Sequence, residues 1–355
     1  MDKINEFQTY LSEWYKKSAR YLPWRNTDDP YRIWISEIML QQTRVDTVIP
    51  YYNNFIEKIP TVKELASVDD EFLMKLWQGL GYYSRAINLK RAAEIIAKEY
   101  NGVIPSSKEA LVSLPGIGNY TAGAILSIAF SKRIQAVDGN VLRILARVYG
   151  IREDIKEPGV KKNLSKIADD LIPAENPGDF NQALMDLGAT VCLPTGDPKC
   201  SECPVRSLCA ADKNDMTRDI PLKIRKKNRE IEKRTVLILS YGSLYAIRKR
   251  KPGNLLPKVW EFLNFEGHLT EEETRQVIKD LGFILVDIQP IIKSRHIFTH
   301  LEWHMKGFLV TISSPAERTD LIWTSIEELN DLYSIPTAFR DYLEYIRKLS
   351  LGYEN

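Results

Sequence analysis

Apolar residues recur at helical spacing through the N-terminal part of the chain. In SRAINLKRAAEIIAKEY, Ala86, Leu89, Ala93 and Ile96 lie three or four residues apart, with Lys and Arg between them. TAGAILSIAF and NVLRILARVYG are apolar enough to be buried helices, and short clusters of Pro, Gly and Asp separate such segments. The pattern predicts an all-α domain over residues 1–218.

The pattern changes in the C-terminal third. RTVLILSYGSLYAIRKR alternates like two strands with Gly242 near the turn, and IIKSRHIFTHLEWHMKGFLVTI reads as two more strands. TEEETRQVIKDLGF is typical of a helix with Thr270 as its N-cap. Residues 231–355 are therefore predicted to form a separate α+β domain. The charged stretch 219–230 between the domains predicts an exposed linker, either a solvated tether or a segment that follows DNA.

Composition narrows the class of protein. The 355 residues are enough for two or three domains, and the formal net charge of +2 excludes a strong overall field. No apolar run is long enough for a membrane span, and the N-terminus lacks a secretory signal. We therefore expect a cytoplasmic protein without membrane contacts, whose cysteines stay reduced.

All four cysteines fall in CLPTGDPKCSECPVRSLC. Cys192, Cys200, Cys203 and Cys209 give the spacing C-x7-C-x2-C-x5-C. Four thiolates this close suit Zn²⁺ or an iron–sulfur cluster, although zinc ribbons usually pair two CxxC units and one is present here. The alternative is four unrelated core cysteines.

LPGIGNYTAG places Gly116 and Gly118 directly before an apolar helix. Glycine lets a group approach the backbone closely, and a helix N-terminus binds anions. The two glycines therefore indicate a phosphate site, while a plain turn between helices is the alternative.

These motifs together resemble those of a known superfamily. LPGIG, the later AVDGN and the four-cysteine loop are similar to the endonuclease III superfamily of DNA glycosylases. WISEIMLQQTRVDTVIPYY, GLGYYSRAINL and LPGIGNYTAGAILSIAF resemble its adenine glycosylases, the MutY family. The likeness covers nearly the whole chain. It implies a helix–hairpin–helix at about 110–130, an iron–sulfur loop at 192–209, and a Nudix-like α+β domain. It also implies a monomer that binds double-stranded DNA and removes adenine paired with 8-oxoguanine or guanine.

Two carboxyl groups match the catalytic pair of that family. Glu37 lies in the apolar context IWISEIMLQQ, where desolvation favours the protonated acid, and the resemblance implies that it protonates adenine N7. A glutamate on a helix surface is the alternative. Asp138 matches the family's catalytic aspartate, which stabilises an oxocarbenium ion or attacks C1′, and Asn140 matches its supporting residue. The alternatives are a helix N-cap for Asp138 and an exposed loop amide for Asn140.

Tyr120 occupies the hairpin position at which related lyases carry lysine. A phenol cannot form a Schiff base, so the resemblance implies a monofunctional glycosylase. The family's other DNA contacts map onto two groups of residues. Gln42 and Tyr82 match intercalating residues, although core packing would also explain Tyr82. The residues that match the lining of the adenine pocket are Arg20, Leu22, Trp24 and Arg25.

The family carries a [4Fe–4S] cluster on C-x6-C-x2-C-x5-C. The four cysteines here match that set with one extra residue in the first gap, where Gly196 would let the loop bulge. In the C-terminal domain, Gln276, Lys279 and Asp280 replace the glutamates that a Nudix hydrolase needs. The domain is therefore expected to recognise 8-oxoguanine without hydrolysing a nucleotide.

The family reads 8-oxoguanine with a Phe-Ser-His loop, which corresponds here to Phe298, Thr299 and His300. A surface histidine is the alternative for His300. Three other functions remain as rivals. A thymine mismatch glycosylase normally lacks residues equivalent to 231–355, and Tyr120 disfavours an endonuclease III-type lyase. A catalytically inactive DNA-binding protein is disfavoured because Glu37, Tyr120 and Asp138 are retained together.

Overall fold

The computed structural model describes residues 2–222, 228–251, 253, 255–315 and 318–351. The chain divides into two compact units, Met1–Ser67 with Asn88–Arg225, and Val68–Ile87 with Lys226–Asn355. Within the described residues, no helix is both long enough and apolar enough to cross a membrane.

The first unit is helical, and no strand occurs among its described residues. Its helices are α1 (Lys3–Ser18), α2 (Pro30–Leu40), α3 (Val45–Lys58), α4 (Val62–Ser67), most of α6 (Ser84–Glu99), α7 (Lys108–Val112), α8 (Asn119–Ala129), α9 (Gly139–Tyr149), α10 (Pro158–Leu171), α11 (Pro177–Thr190) and α12 (Ala210–Lys213). The helix α5 (Asp70–Trp77) belongs to the second unit. One hydrophobic core joins the buried faces of α1, α9, α10 and α11. The all-α prediction for this part of the chain is confirmed.

The helix–hairpin–helix consists of α7, a turn and α8. Gly116 has φ +78, a left-handed conformation that favours glycine, and it ends the turn beside Asn88. Gly118 is the N-cap of α8, and a Cβ at this position would meet no atom within 4 Å. The backbone of Gly118 is therefore open to a group that approaches the start of α8.

The second unit contains a mixed sheet. Its strands are β1 (Glu230–Tyr241), β2 (Leu244–Lys249), β3 (Trp260–Glu261), β4 (Leu263–Glu266), β5 (Leu285–Ile297), β6 (Leu301–Ile312) and β7 (Ile322–Thr324). The order is β3-β2-β1-β6-β5, with β4 also paired to β1 and β7 to β2. β1 and β6 run parallel, and the other pairs are antiparallel.

Both faces of this sheet are covered, because successive residues of a strand point to opposite faces. Val236 and Ile238 pack in one core with α14 (Ile326–Asp331) and α15 (Arg340–Ser350), while Leu237 and Leu239 pack in a second core with α13 (Glu271–Asp280). A capping box formed by Thr270 and Glu273 starts α13. The predicted strands, helix and N-cap are confirmed.

The boundary between the units differs in detail from the sequence-based expectation. Residues 68–87 lie inside the predicted helical domain along the chain but pack with the C-terminal unit. Ile220 is 1% exposed, in contrast to the exposed linker that the charges of 219–230 predict. The backbone oxygen of Ile220 accepts a hydrogen bond from Arg147, which fixes this residue on the helical core. Residues 223–227 of the predicted linker lie outside the described residues.

Candidate active site

A pocket in the first unit, here called the carboxylate pocket, brings most of the predicted site residues together. α2 supplies Glu37, α8 supplies Tyr120, the N-cap of α9 supplies Asp138, and α11 forms one wall. The pocket is lined by Arg20, Leu22, Trp24, Arg25, Ile33, Ser36, Glu37, Leu40, Thr43, Val45, Tyr120, Ile128, Asp138, Asn140, Gln182, Met185 and Ala189.

Glu37 is buried in the carboxylate pocket and 4% exposed. Its Oε2 has no hydrogen-bond partner among the residues that the structure describes. Burial raises the pKa of Glu37 to about 7, while a hydrogen bond with Tyr120 and the charge of Arg25 act in the opposite direction. A carboxyl group of this kind carries its proton during part of the time at neutral pH and can donate it to a bound group.

Asp138 is both the N-cap of α9 and a lining residue of the pocket. Its Oδ1 accepts from the backbone N–H groups of Asn140 and Val141, both at 2.8 Å. Its Oδ2 accepts from the side chain of Asn140 at 2.7 Å. Burial raises the pKa of Asp138, and these hydrogen bonds, with the charge of Arg143, oppose the rise by favouring the ionised form. The capping role and a chemical role therefore coexist in one residue.

Arg143 connects this carboxylate to the next part of the chain. It donates to Asn140 Oδ1 at 2.9 Å, to the backbone oxygen of Gly188 at 2.8 Å and to that of Cys192 at 2.9 Å. A Cβ on Gly188 would lie 2.6 Å from the Cβ of Asn140, closer than real Cβ contacts allow. α11 can therefore approach the start of α9 only because position 188 has no side chain.

A buried acid on α11 holds two arginines at the pocket wall. Asp186 is fully buried, and its two oxygens accept from Arg25 Nη2 at 2.9 Å and from Arg25 Nη1 at 3.0 Å. The side-chain Nε of Arg20 donates to the same carboxylate at 2.7 Å, and its backbone N–H donates at 3.2 Å. Such charge-assisted, bidentate bonds fix the direction of both guanidinium groups.

Tyr120 reaches the pocket from the first turn of α8. Its hydroxyl donates to the sulfur of Met185 at 3.7 Å. Burial, with the nearby carboxyl groups of Glu37 and Asp138, raises the pKa of Tyr120 well above its usual range. The residue is therefore a neutral phenol and a hydrogen-bonding group, not a base.

Leu22 and Trp24 form an apolar part of the wall and are 5% and 4% exposed. Gln42 does not line the pocket. It lies just after α2 with φ 59, exposed to solvent, in a left-handed conformation that a non-glycine residue rarely adopts. The conformation points to a constrained turn that presents this side chain at the surface.

A cavity in the second unit, here called the Thr299 cavity, contains the predicted site residues Tyr82, Phe298, Thr299 and His300. It is lined by residues 79–84, 255–257, 296–300, Arg229 and Thr337. The hydroxyl oxygens of Tyr82 and Thr299 are 2.7 Å apart. Tyr82 has φ 48 and is 47% exposed, so its ring is not part of a core. Core packing as the explanation of Tyr82 is therefore wrong.

The loop between β5 and β6 is a tight turn in which Phe298 N–H donates to the backbone oxygen of Leu301. The ring of Phe298 packs against Trp303 with centroids 5.0 Å apart, and Thr299 and His300 are exposed at the tip. Phe298 therefore anchors the loop, while the next two residues face solvent.

The four cysteines of the first unit line one cavity. Burial raises the pKa of Cys200 to about 11 and that of Cys203 to about 12. Arg147 Nη1 donates to the sulfur of Cys192 at 3.1 Å. Within the described residues, no group of three His, Cys, Asp or Glu side chains is placed to hold a single metal ion. The longer first gap is accommodated by Gly196, which has φ +72.

Comparisons with known proteins agree with this arrangement. The model of the HhH-GPD superfamily of base excision DNA repair proteins matches residues 35–169, and a NUDIX domain model matches 234–345. An adenine DNA glycosylase of Buchnera aphidicola subsp. Acyrthosiphon pisum is 34% identical over 348 residues, which are 96% of this chain and 98% of the relative. The chain belongs to the adenine DNA glycosylase family.

Further relatives and solved structures extend the comparison. The adenine DNA glycosylase of Mus musculus is 47% identical over 217 residues, or 59% of this chain and 42% of the relative. A thermostable thymine-DNA glycosylase is 30% identical with a TM-score of 0.55, covering 60% of this chain and 97% of that structure. Endonuclease III in a non-covalent DNA complex is 25% identical, with a TM-score of 0.51, over 61% of this chain and 99% of that one. The protein is thus a base excision repair glycosylase with a helical HhH-GPD domain and a C-terminal Nudix domain, as the sequence predicts.

The sequence analysis did not identify three residues of α11 at or next to the carboxylate pocket. Gln182 and Met185 line the pocket, and Asp186 holds Arg20 and Arg25 at its wall. Asp186 shares the signal that identified Glu37, since it is a carboxylate flanked by apolar residues, in ALMDLG. The contact of Tyr15 on α1 with Arg25 was also not identified from the sequence.

Proposed function

We propose that this glycosylase hydrolyses the N-glycosidic bond of adenine paired with 8-oxoguanine or guanine in duplex DNA. The observation that carries the proposal is the carboxylate pocket, in which a buried acid with an unpartnered oxygen and a hydrogen-bonded aspartate line one space. Two carboxyl groups in environments that favour different protonation states are what base release requires.

In the proposed reaction, protonated Glu37 donates its proton to adenine N7. The bond between C1′ and N9 then breaks, and its electron pair leaves with the base. Ionised Asp138, held by Asn140, stabilises the positive charge that develops on the sugar or attacks C1′. Water completes the reaction by adding to C1′ and releasing a proton, which restores the acid form of Glu37, while the Asp138 carboxylate is left free again. Tyr120 orients Glu37 and offers no amine, so no lyase step follows.

Access to the base requires that the nucleotide leave the duplex. Leu22 and Trp24 would cover the faces of the purine, and Arg20 and Arg25 would donate to its edge or to the backbone. Gln42 and Tyr82, both exposed on left-handed turns, are proposed to fill the gap in the duplex. The turn at Gly116 and the start of α8 at Gly118, where a Cβ would meet no atom within 4 Å, would bind a phosphate of the DNA.

The Nudix domain is proposed to read 8-oxoguanine through the exposed residues Thr299 and His300. The equivalents of the catalytic glutamates are engaged elsewhere, since Gln276 donates to Asp280 at 2.7 Å. We therefore propose recognition without hydrolysis for this domain. We further propose that the enzyme acts as a monomer on DNA in the cytoplasm.

The residues around the four-cysteine cavity fit a [4Fe–4S] cluster. Four thiols from a short loop line one cavity, and four thiolates so close together suit an iron–sulfur cluster. Cys192, Cys200, Cys203 and Cys209 would hold it, and bound metal would tie residues 192–209 to the end of α11. The cysteine loop takes no part in the proton transfer or the bond breaking of base release.

A base-release assay on four duplexes tests the function. The duplexes contain A:8-oxoguanine, A:G, T:G or an oxidised pyrimidine. Adenine release from the first two alone is expected. Release of thymine from T:G, without adenine release, would instead favour the activity named for the thymine-DNA glycosylase neighbour.

Metal analysis tests the cluster. The purified protein is expected to be brown and to contain about four irons per chain. Cys203→Ser should lower the iron content, whereas Ser201→Ala in the same loop should leave it unchanged. About one zinc and no iron per chain would contradict the proposal.

A further inference from the structure

Tyr15 lies on α1, ten residues before Arg25 of the carboxylate pocket. Its ring is buried in the core of the first unit. Its hydroxyl oxygen accepts a hydrogen bond from Arg25 Nη1 at 2.6 Å, and the guanidinium carbon lies 5.6 Å from the ring centroid. Burial raises the pKa of Tyr15, so the hydroxyl remains neutral and can accept from a cation.

Arg25 depends on this contact because its other partner is shared. Asp186 accepts from both Arg25 and Arg20, and these four hydrogen bonds occupy both of its oxygens. Tyr15 adds an acceptor from a different helix, which restricts the rotation of the guanidinium group about its bond to Asp186. The direction of Arg25 in the pocket is therefore set from two sides.

We propose that Tyr15 is a positioning residue for base release, which fixes the guanidinium group of Arg25 at the wall of the carboxylate pocket beside Glu37. This inference rests on the proposed function, since it takes Glu37 as the acid. The charged and titratable groups that face Glu37 are Tyr120 of α8, Asp138 at the start of α9, and Arg25. Of these three, Arg25 carries the positive charge that helps Glu37 to ionise.

The direction of the effect follows from this geometry. When Arg25 is released from Tyr15, its charge moves away from Glu37 for part of the time, and the carboxyl group keeps its proton to higher pH. The bound base also meets a less well placed cation, so the maximal rate falls. If Tyr15 only filled the core, its replacement would change the rate by the same factor at every pH.

The test measures single-turnover adenine release from an A:8-oxoguanine duplex over a range of pH. Tyr15→Phe keeps the ring and removes the acceptor. We expect the maximal rate to be lower by about five- to tenfold. The basic limb of the pH–rate profile, where the rate falls as pH rises, should be displaced to higher pH. Tyr10→Phe is the matched control, because Tyr10 lies on the same helix and is 39% exposed. This control should keep both the wild-type rate and the wild-type limb.

A double-mutant cycle tests whether Tyr15 acts through Arg25. In an Arg25→Lys background, Tyr15→Phe should lower the rate little further, because the guanidinium group that Tyr15 holds is already absent. An unshifted limb in Tyr15→Phe, or an equal cost in both backgrounds, would overturn the inference. If Tyr15→Phe does not fold, as judged by circular dichroism, Tyr15→His keeps a ring with an acceptor, and a displaced limb in that variant would contradict the proposal. Absence of adenine release by the wild type would refute the proposed function instead.

Discussion

The carboxylate pocket and the Thr299 cavity bring together different kinds of side chain. The pocket is lined by Glu37 and Asp138, and burial raises the pKa of both carboxyl groups. The cavity presents the neutral hydroxyls of Tyr82 and Thr299 close to solvent. Burial gives the pocket its ability to hold and release protons, whereas exposure gives the cavity donors that a base edge can reach. In the proposed function, bond breaking and recognition therefore make opposite demands on the surrounding protein.

Replacing Glu37, the proposed proton donor of the carboxylate pocket, should have the largest effect on adenine release. Glu37→Gln preserves shape but supplies no proton, so adenine release should fall by about 10²–10⁴-fold while duplex binding persists. Single-turnover release and a gel-shift assay measure the two properties. Glu57→Gln changes an exposed glutamate of α3 and should be silent. Normal release by Glu37→Gln would remove Glu37 from the acid role.

Asp138→Asn should separate chemistry from helix capping. Asparagine still caps α9, so the thermal midpoint should change little, while adenine release should fall by about 10²–10³-fold because the stabilising charge is lost. Asp69→Asn is the control, since Asp69 caps α5 through equivalent backbone bonds. If Asp138→Asn retained full activity, only its capping role would remain.

The burial of Glu37 predicts two pH effects. Adenine release should fall as pH rises above about 7, where Glu37 loses its proton. Between its ordinary pKa of 4.5 and the folded value of about 7, the unfolded chain loses this proton first. The stability that this group contributes is therefore complete below the lower value and is lost as pH rises to the upper one.

Glu37→Gln removes that loss. Relative to the wild type, the free energy of unfolding of the variant should therefore rise by up to about 3 kcal/mol between acid and mildly alkaline pH. Urea unfolding at several pH values measures the gain. A constant difference between the two proteins would show that Glu37 titrates normally in the folded state.

The smallest expected effect concerns the Thr299 cavity. Thr299→Val with His300→Ala should lower the ratio of release from A:8-oxoguanine to release from A:G by about tenfold, through loss of a few hydrogen bonds. The rate from A:G should be nearly unchanged, because the carboxylate pocket is intact. Thr319→Val, at another exposed threonine of the same unit, is the control. An unchanged ratio would mean that the loop only connects two strands.

Point variants test this division better than deletion of residues 231–355. Lys75 donates to the backbone oxygen of Tyr333 at 3.2 Å, and Gln78 donates to that of Ile335 at 2.9 Å. A deletion would therefore uncover the segment 68–87, which carries Tyr82. Loss of activity after such a deletion would report damage to that segment as well as loss of the reading loop.

The sequence predicts local features better than contacts between remote segments. The apolar flanks of Glu37 indicate its burial, and the context of Asp138 indicates a cap, because both signals lie within one turn of helix. Asp186 was missed although its flanks are similar, since α11 reads as an ordinary buried helix. The packing of 68–87 with the C-terminal unit and the bond from Arg25 to Asp186 depend on pairings across the fold, which no local pattern encodes.

Gly188 makes the site intolerant of added volume rather than of changed charge. Its missing side chain allows Asn140 and Arg143 to meet the backbone of α11. Alanine would be a better helix former there, yet its single methyl group would have to displace the residue that supports Asp138. A survey of substitutions that looks for lost acids, bases and ligands would pass over this position, although the alignment of Asp138 depends on it. The room for variation in this enzyme is thus limited by a position that contributes no functional group.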